Sequence, residues 1–222
     1  ELSPGTVTLY VATIALLIPS AVSEADSAAM TFAQELSVGL AVLLIVTYGL
    51  SMLFSLKTHR ELFASAEHDE AEESHWPMGL ALATLAGVTV LVALVSEIFV
   101  ESVQKAAEAF GMTPAFVGFI VVALVGGAAE MGSAFAGARK NRLDLSVGIA
   151  LGSASQIALF VAPALVLLSY VIGPTPLDLN FWPGAVVMIL VATLTAVLVT
   201  NSGRSAWFVG VLLIMVYLIF AL

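Results

Sequence analysis

The sequence contains no cysteine and few charged residues, and both shortages restrict what the protein can do. About 10% of the 222 residues are charged and 60% are hydrophobic, whereas a soluble domain carries roughly 25% charged residues. This composition indicates a membrane protein. Without cysteine, disulfide bonds and thiol chemistry are excluded, and the redox compartment cannot be inferred.

Lysine, aspartate and histidine are absent from the middle of the long apolar stretches. A retinal Schiff base would need a lysine there, and an intramembrane aspartyl protease would need a pair of aspartates. The residues of these types lie at the ends of the stretches or outside them: Lys57, Lys105, Lys140, Asp26, Asp69, Asp144, Asp178, His59, His68 and His75. The groups that remain inside are carboxylates, amides, hydroxyls and carbonyls, whose oxygens are ligands of hard cations.

Seven apolar stretches are long enough to cross a bilayer as α-helices. They cover residues 6–22, 34–56, 78–104, 114–138, 146–171, 183–200 and 204–222. Strands of a membrane barrel would be about ten residues long and would alternate between polar and apolar residues. The sequence therefore predicts an all-α polytopic membrane protein with seven transmembrane helices in this segment.

The basic residues fall almost entirely on one side of this predicted arrangement. Lys105 lies on one side, and the other side holds Lys57, Arg60, Arg139, Lys140, Arg142 and Arg204. Because positively charged loops stay in the cytoplasm, we expect the acidic loop at residues 58–76 there and the C-terminus outside. The first helix pair then enters from the cytoplasm and the last pair from outside, as in the inverted repeats of secondary transporters. We expect an integral membrane protein of a bacterial inner membrane.

One carboxylate, Glu130, lies among small and apolar residues in the fourth stretch. An ionisable group inside the bilayer is costly and usually faces an interior cavity. Gly126 and Gly127 precede it, and glycine weakens a helix by roughly 1 kcal/mol relative to alanine. Carbonyls freed by a kink beside a carboxylate would suit a hard cation such as calcium. Close packing of helices is the alternative explanation of the glycines.

Further polar groups occur in the neighbouring stretches. Glu97 and Glu101 lie one helical turn apart on one face. Glu101 is close enough to the predicted outer end of its helix to be solvated, whereas Glu97 lies a turn deeper. The fifth stretch contains a polar seam: Gly148, Gly152, Ser153, Ser155 and Gln156. Hydrogen bonding between helices and a set of oxygens facing Glu130 both remain open as explanations of this seam.

The stretch "GGAAEMGSAFAGARKNRLDLSVGIALGSASQIALF", residues 126–160, resembles the second repeat motif of the calcium/proton exchanger family, within the cation/calcium exchanger superfamily. "VSEIFVESVQ", residues 95–104, is similar to the family's segment one helix earlier. The resemblance implies an eleven-helix inverted-repeat transporter. Residues 1–57 would be the last two helices of the first repeat, 58–76 a cytoplasmic acidic loop, and 77–222 the second five-helix repeat. The chain begins at Glu1 instead of Met, so we expect that it is part of a longer protein whose N-terminal repeat is missing here.

The resemblance also assigns the site residues. It implies that Glu130 is the cation-binding carboxylate of the second repeat, and that Glu97, Ser153 and Gln156 lie along the transport path. Two positions depart from the family: Gly127 stands where asparagine is usual, and Met131 stands where histidine is usual. A ligand amide and a titratable imidazole are therefore absent.

We predict a transporter and not an enzyme: a secondary antiporter that exchanges Ca²⁺ for H⁺ by alternating access, with both ions competing for Glu130. It would need no cofactor and no nucleic acid. Its partners would be membrane lipid, Ca²⁺ and the missing repeat, and a homo-oligomer is an open alternative. The alternative functions are a sodium- or manganese-coupled exchanger of the same fold, and a non-transporting scaffold that acts through the acidic loop. That loop is either a solvated linker or a weak regulatory cation site.

Overall fold

The structure, a computed structural model, describes residues 4–23, 27–58, 77–201 and 206–222. Within these ranges the regular structure is helical. Eight helices follow one another: α1 (Pro4–Ser23), α2 (Ser27–Leu53), α3 (Met78–Phe110), α4 (Pro114–Gly126), α5 (Ala128–Arg139), α6 (Leu143–Ile172), α7 (Pro183–Asn201) and α8 (Trp207–Ala221). Three stretches are π-helical: Phe54–Thr58 after α2, Val117–Val122 in α4 and Ile157–Val161 in α6.

Several helix ends follow from local sequence. Pro183 is the first residue of α7, where its missing N–H group does no harm. The hydroxyl of Thr113 caps α4 by accepting the N–H of Phe116 at 3.2 Å. α3 ends at Phe110, and the capping residue Gly111 has φ 66°, a left-handed conformation that glycine adopts without a steric penalty.

Five of these helices, α1, α2, α3, α6 and α7, are long and apolar enough to cross a membrane. α4 and α5 pass the same test together as one broken span, and α8 is a shorter apolar helix of 15 residues. The prediction of an all-α protein with several membrane-spanning helices is confirmed, whereas the count of seven and the inverted repeat stay predictions. Nearly all of the predicted acidic loop, residues 59–76, lies outside the described residues.

The chain divides into two compact units, which are described separately. One comprises Ser65–Ala128 and therefore contains α3 and α4, in which every described side chain is at least partly exposed. The other comprises Glu1–Ala64 and Ala129–Phe220.

The core of the second of these units lies between α1, α2 and α6. Ala12 of α1 and Ala41 of α2 are fully buried, and small residues at these positions let helices approach closely. Leu159 of α6 is 1% exposed and fills the same cluster. The rings of Tyr48 and Phe160 join α2 to α6 with their centroids 5.3 Å apart. The result is a tightly packed three-helix core.

Serine hydroxyls from these three helices bind residues 177–181, which we call the serine-bound segment. Alternate N–H groups of the segment donate to the serines: Leu177 to Ser169 of α6 (2.8 Å), Leu179 to Ser37 of α2 (3.1 Å) and Phe181 to Ser20 of α1 (2.8 Å). Ser20 also donates to the carbonyl of Leu179 at 3.3 Å. The side chain of Leu179 is 2% exposed and belongs to the core cluster. The segment therefore ties α1, α2 and α6 together.

Two pairs of threonine hydroxyls join α1 to α7. Thr13 lies 2.9 Å from Thr193, and Thr6 lies 3.3 Å from Thr200. From Thr6 to Thr13 the residue number in α1 rises by seven, whereas that of the partner in α7 falls by seven, from Thr200 to Thr193. The two helices are therefore antiparallel. Thr13 donates to the carbonyl of Leu9 at 2.9 Å, so Thr193 is the donor in their shared bond.

Candidate functional site

The predicted kink beside Glu130 is confirmed by the backbone. α4 ends at Gly126, Gly127 adopts φ −88° and ψ 6°, and α5 begins at Ala128. The local helix axis turns by 55° at this break. Glu130 lies in the first turn of α5, and its side chain is exposed among the described residues.

The break supplies polar backbone groups beside this carboxylate. The last carbonyls of α4 and the first N–H groups of α5 lack partners inside their own helices. The N–H of Gly127 is used, since it donates to the carbonyl of Ala123 at 3.0 Å. A Cβ atom at Gly127 would lie 3.0 Å from the same carbonyl, so glycine suits this tight turn. The positive end of the α5 dipole also favours a negative charge at Glu130.

The structure divides the predicted polar seam of α6 between two faces. Ser155 is buried and lies three and four residues before the core residues Ala158 and Leu159, so it shares their face. Its Oγ atom has no hydrogen-bond partner among the described residues. Gln156 is exposed and Ser153 is half-buried, on the other side of the helix. Ser155 therefore belongs to the α1–α2–α6 core.

Glu130, Ser153 and Gln156 are not joined by a hydrogen bond in the described part of the chain. Among all the described residues, no group of three or more acidic or histidine side chains is placed to hold a metal ion. A cation bound by the described residues near Glu130 would thus need carbonyl, hydroxyl and amide oxygens as additional ligands.

Glu97 and Glu101 belong to α3, in the other unit, and both side chains are exposed. The carboxylate of Glu101 accepts a hydrogen bond from Lys105, with 2.6 Å between the atoms, and both side chains are exposed. The helix continues to Phe110 and does not end near residue 104, so Glu101 lies nine residues before its end. The interpretation of Glu101 as a solvated residue stays a prediction. Glu97 lies one turn earlier, and the residues four positions before and after it, Ala93 and Glu101, are not cationic.

The π-helical turns are features of the site that the sequence did not indicate. Gln156 immediately precedes the π-helical turn Ile157–Val161, and a second turn, Val117–Val122, lies four residues before Gly126. Such turns widen the helix and are frequent at functional sites. Apolar residues form both, so their sequences carried no signal.

The chain belongs to the sodium/calcium exchanger protein family, because the family's model matches residues 80–222. It is 38% identical to a Ca²⁺/H⁺ antiporter of Aphanothece halophytica, over 96% of this chain and 61% of that protein. It is also 38% identical to the Ca²⁺/H⁺ antiporter ChaA of Bacillus subtilis, over 94% of this chain and 60% of that protein. The resemblance in the sequence is thereby confirmed.

A solved structure of native YfkE is similar in fold, with a TM-score of 0.77 and 34% sequence identity. The match covers 98% of this chain and 61% of YfkE. The chain therefore spans about three-fifths of the length of these three relatives, 60% of one and 61% of the other two.

Proposed function

We propose that the protein containing this chain exchanges Ca²⁺ for H⁺ across a membrane. The observation that carries the proposal is Glu130, a carboxylate in the first turn of α5 directly after the break at Gly127. Two relatives that are 38% identical are Ca²⁺/H⁺ antiporters. We place Glu130 near mid-membrane, where a charge is tolerated only with oxygen or cation partners.

The mechanism is competition for one carboxylate. A proton neutralises Glu130 when no cation is present, and Ca²⁺ displaces that proton when it binds. Calcium takes six to eight oxygens, so Glu130 needs additional ligands. We assign these to the carbonyls at Gly126 and Gly127 and to the side chains of Ser153 and Gln156, with water completing the shell.

Electroneutral exchange of one Ca²⁺ ion needs two protons and hence a second carboxylate. We expect that carboxylate in the N-terminal repeat, which would also complete the inverted-repeat architecture for alternating access. Glu97 is the alternative within this chain. The shared site must open to one side of the membrane at a time, because a site open to both sides would let Ca²⁺ pass without exchange for protons.

Residues 1–57 would then be the end of the first repeat, 58–76 the acidic loop and 77–222 the second repeat. The acidic loop would lie in the cytoplasm and the C-terminus outside, in accordance with the distribution of basic residues. Membrane lipid and the N-terminal repeat are the partners that this arrangement requires, and the transport cycle needs no cofactor.

Coupling to sodium is the second candidate, because the matching family is described as a sodium/calcium exchanger. Gly127 and Met131 replace the asparagine and histidine of the motif that the sequence resembles, and a change of ligands can change the preferred ion. Manganese, another cation that binds oxygen ligands, is a further candidate cargo.

The test is calcium uptake by membrane vesicles that contain the full-length protein. An imposed pH gradient should drive uptake, and a sodium gradient of equal size should not. Glu130→Gln should abolish the pH-driven uptake, whereas Glu108→Gln, at an exposed position near the end of α3, should retain it. Uptake driven by sodium alone would favour the second candidate. Wild-type uptake by Glu130→Gln would overturn the role of this residue. No uptake by the wild type under either gradient would favour a scaffold.

A further inference from the structure

A cluster of three cationic residues occupies the turn between α5 and α6. Arg139 ends α5, Lys140 follows it, and Arg142 directly precedes α6. Arg139 and Lys140 are exposed, and neither forms an ion pair with another described residue. Asp144, in the first turn of α6, offsets one of the three charges. The turn therefore carries excess positive charge that an anionic partner would neutralise.

The backbone holds this turn in a defined shape. The N–H of Lys140 donates to the carbonyls of Ala136 and Gly137 at 3.2 and 3.1 Å, and the N–H of Arg142 donates to Gly137 at 3.0 Å. Asn141 has φ 60°, the left-handed conformation that asparagine tolerates better than most residues. Gly137 is buried, and a Cβ atom there would lie 3.5 Å from Leu145. An ordered backbone lowers the entropic cost of binding.

Exposed apolar side chains lie beside these cations. Phe135 is one helical turn before Arg139, on the same face of α5, and is 69% exposed. Leu143, the residue after Arg142, is 42% exposed. A free phosphate or an acidic peptide would neutralise the charges and leave these apolar groups uncovered. A phospholipid has both a phosphate and acyl chains, so it matches the whole surface.

We propose that the turn at residues 139–142 binds the headgroup of an anionic phospholipid, whose acyl chains pack against Phe135 and Leu143. The turn joins two apolar helices, so its side chains lie within reach of the headgroup region of the bilayer. Each basic residue near an anionic membrane surface contributes about a fivefold preference at low salt. Removal of all three cations should therefore weaken the binding by about a hundredfold, and screening by salt reduces this factor.

The test measures binding of dioleoylphosphatidylglycerol to the full-length protein in detergent, with dioleoylphosphatidylcholine as the zwitterionic reference. The variant with Arg139→Gln, Lys140→Gln and Arg142→Gln should lose at least about tenfold of the affinity for the anionic lipid. Lys105→Gln, which removes a cation elsewhere, should bind like the wild type. Equal affinity of the triple variant and the wild type would overturn the proposal.

Two further measurements keep the test decisive if the triple variant does not fold. Binding by the wild type should weaken as salt is raised, and a salt-independent affinity would overturn the proposal. Phe135→Ala should weaken binding of the lipid and leave binding of glycerol phosphate unchanged. If glycerol phosphate binds as tightly as the lipid, the site takes a soluble anion instead.

Discussion

Replacing Ser37 with alanine should destabilise the α1–α2–α6 core by removing one anchor of the serine-bound segment. Ser37 is fully buried, and its hydroxyl accepts the N–H of Leu179 at 3.1 Å while donating to the carbonyl of Ala33 at 2.7 Å. Alanine keeps the helix intact, and the carbonyl of Ala33 retains its backbone partner in α2. The N–H of Leu179 loses its acceptor in a buried position.

The expected magnitude follows from that single unpaired donor. A buried donor left without a partner costs about 1–3 kcal/mol. For a protein of about 150–250 residues each kcal/mol lowers the unfolding temperature by about 2–4 °C, and the shift is smaller for a longer protein. Thermal unfolding of the full-length protein in detergent should show this decrease, and hydrogen exchange at the amide of Leu179 should become faster.

Ser102→Ala is the matched control for this experiment. The hydroxyl of Ser102 is exposed and donates to the carbonyl of Ile98 in its own helix at 2.7 Å. An exposed substitution of this kind should change stability by no more than about 0.5 kcal/mol. If Ser37→Ala matches Ser102→Ala in both unfolding temperature and exchange at Leu179, the serine-bound segment does not stabilise the core.

Three further predictions concern the break, the ion pair and the topology. Gly126→Ala should raise the free energy of unfolding by about 0.5–1 kcal/mol, because nothing lies within 4 Å of the added Cβ. Gly127→Ala should lower it, because the added Cβ would lie 3.0 Å from the carbonyl of Ala123. Thermal unfolding of the two variants would contradict this if their shifts had the same sign. Lys105→Gln should leave the unfolding temperature unchanged, since its pair with Glu101 is exposed, and a clear decrease would contradict the solvated interpretation. Arg142→Cys should resist labelling by a membrane-impermeant thiol reagent added outside intact cells, and labelling there would contradict a cytoplasmic turn.

The helices and their breaks were predictable because they depend on local chemistry. Long apolar stretches placed α3, α6 and α7, and Pro183 marked the start of α7. Gly126 and Gly127 indicated the kink, because two adjacent glycines remove side-chain support from one helical turn. The chemical character of the candidate site stays a prediction, and it rests on the same kind of local chemistry, since a lone carboxylate in an apolar stretch is costly unless it is used.

The features that the sequence did not predict depend on contacts between distant residues. The serine-bound segment requires Ser37 and Leu179, which are 142 residues apart, to meet, and a lone serine in an apolar stretch has several other uses. Ser155 and Gln156 are adjacent in sequence, yet helical geometry places one in the core and leaves the other exposed. The length of α8 also differed from the expected span 204–222, since the helix begins at Trp207.

The measurement that tests the central proposal most directly is the number of protons released when Ca²⁺ binds. The full-length protein is titrated with calcium in weakly buffered detergent solution, and the released protons are counted for the wild type and for Glu130→Gln. Metal binding releases protons from ligands that are protonated in the free site. If the two ions compete for Glu130, the variant should release about one proton fewer per bound calcium, or should bind no calcium. Equal calcium binding and equal proton release by both proteins would contradict the proposal that Glu130 is the shared site.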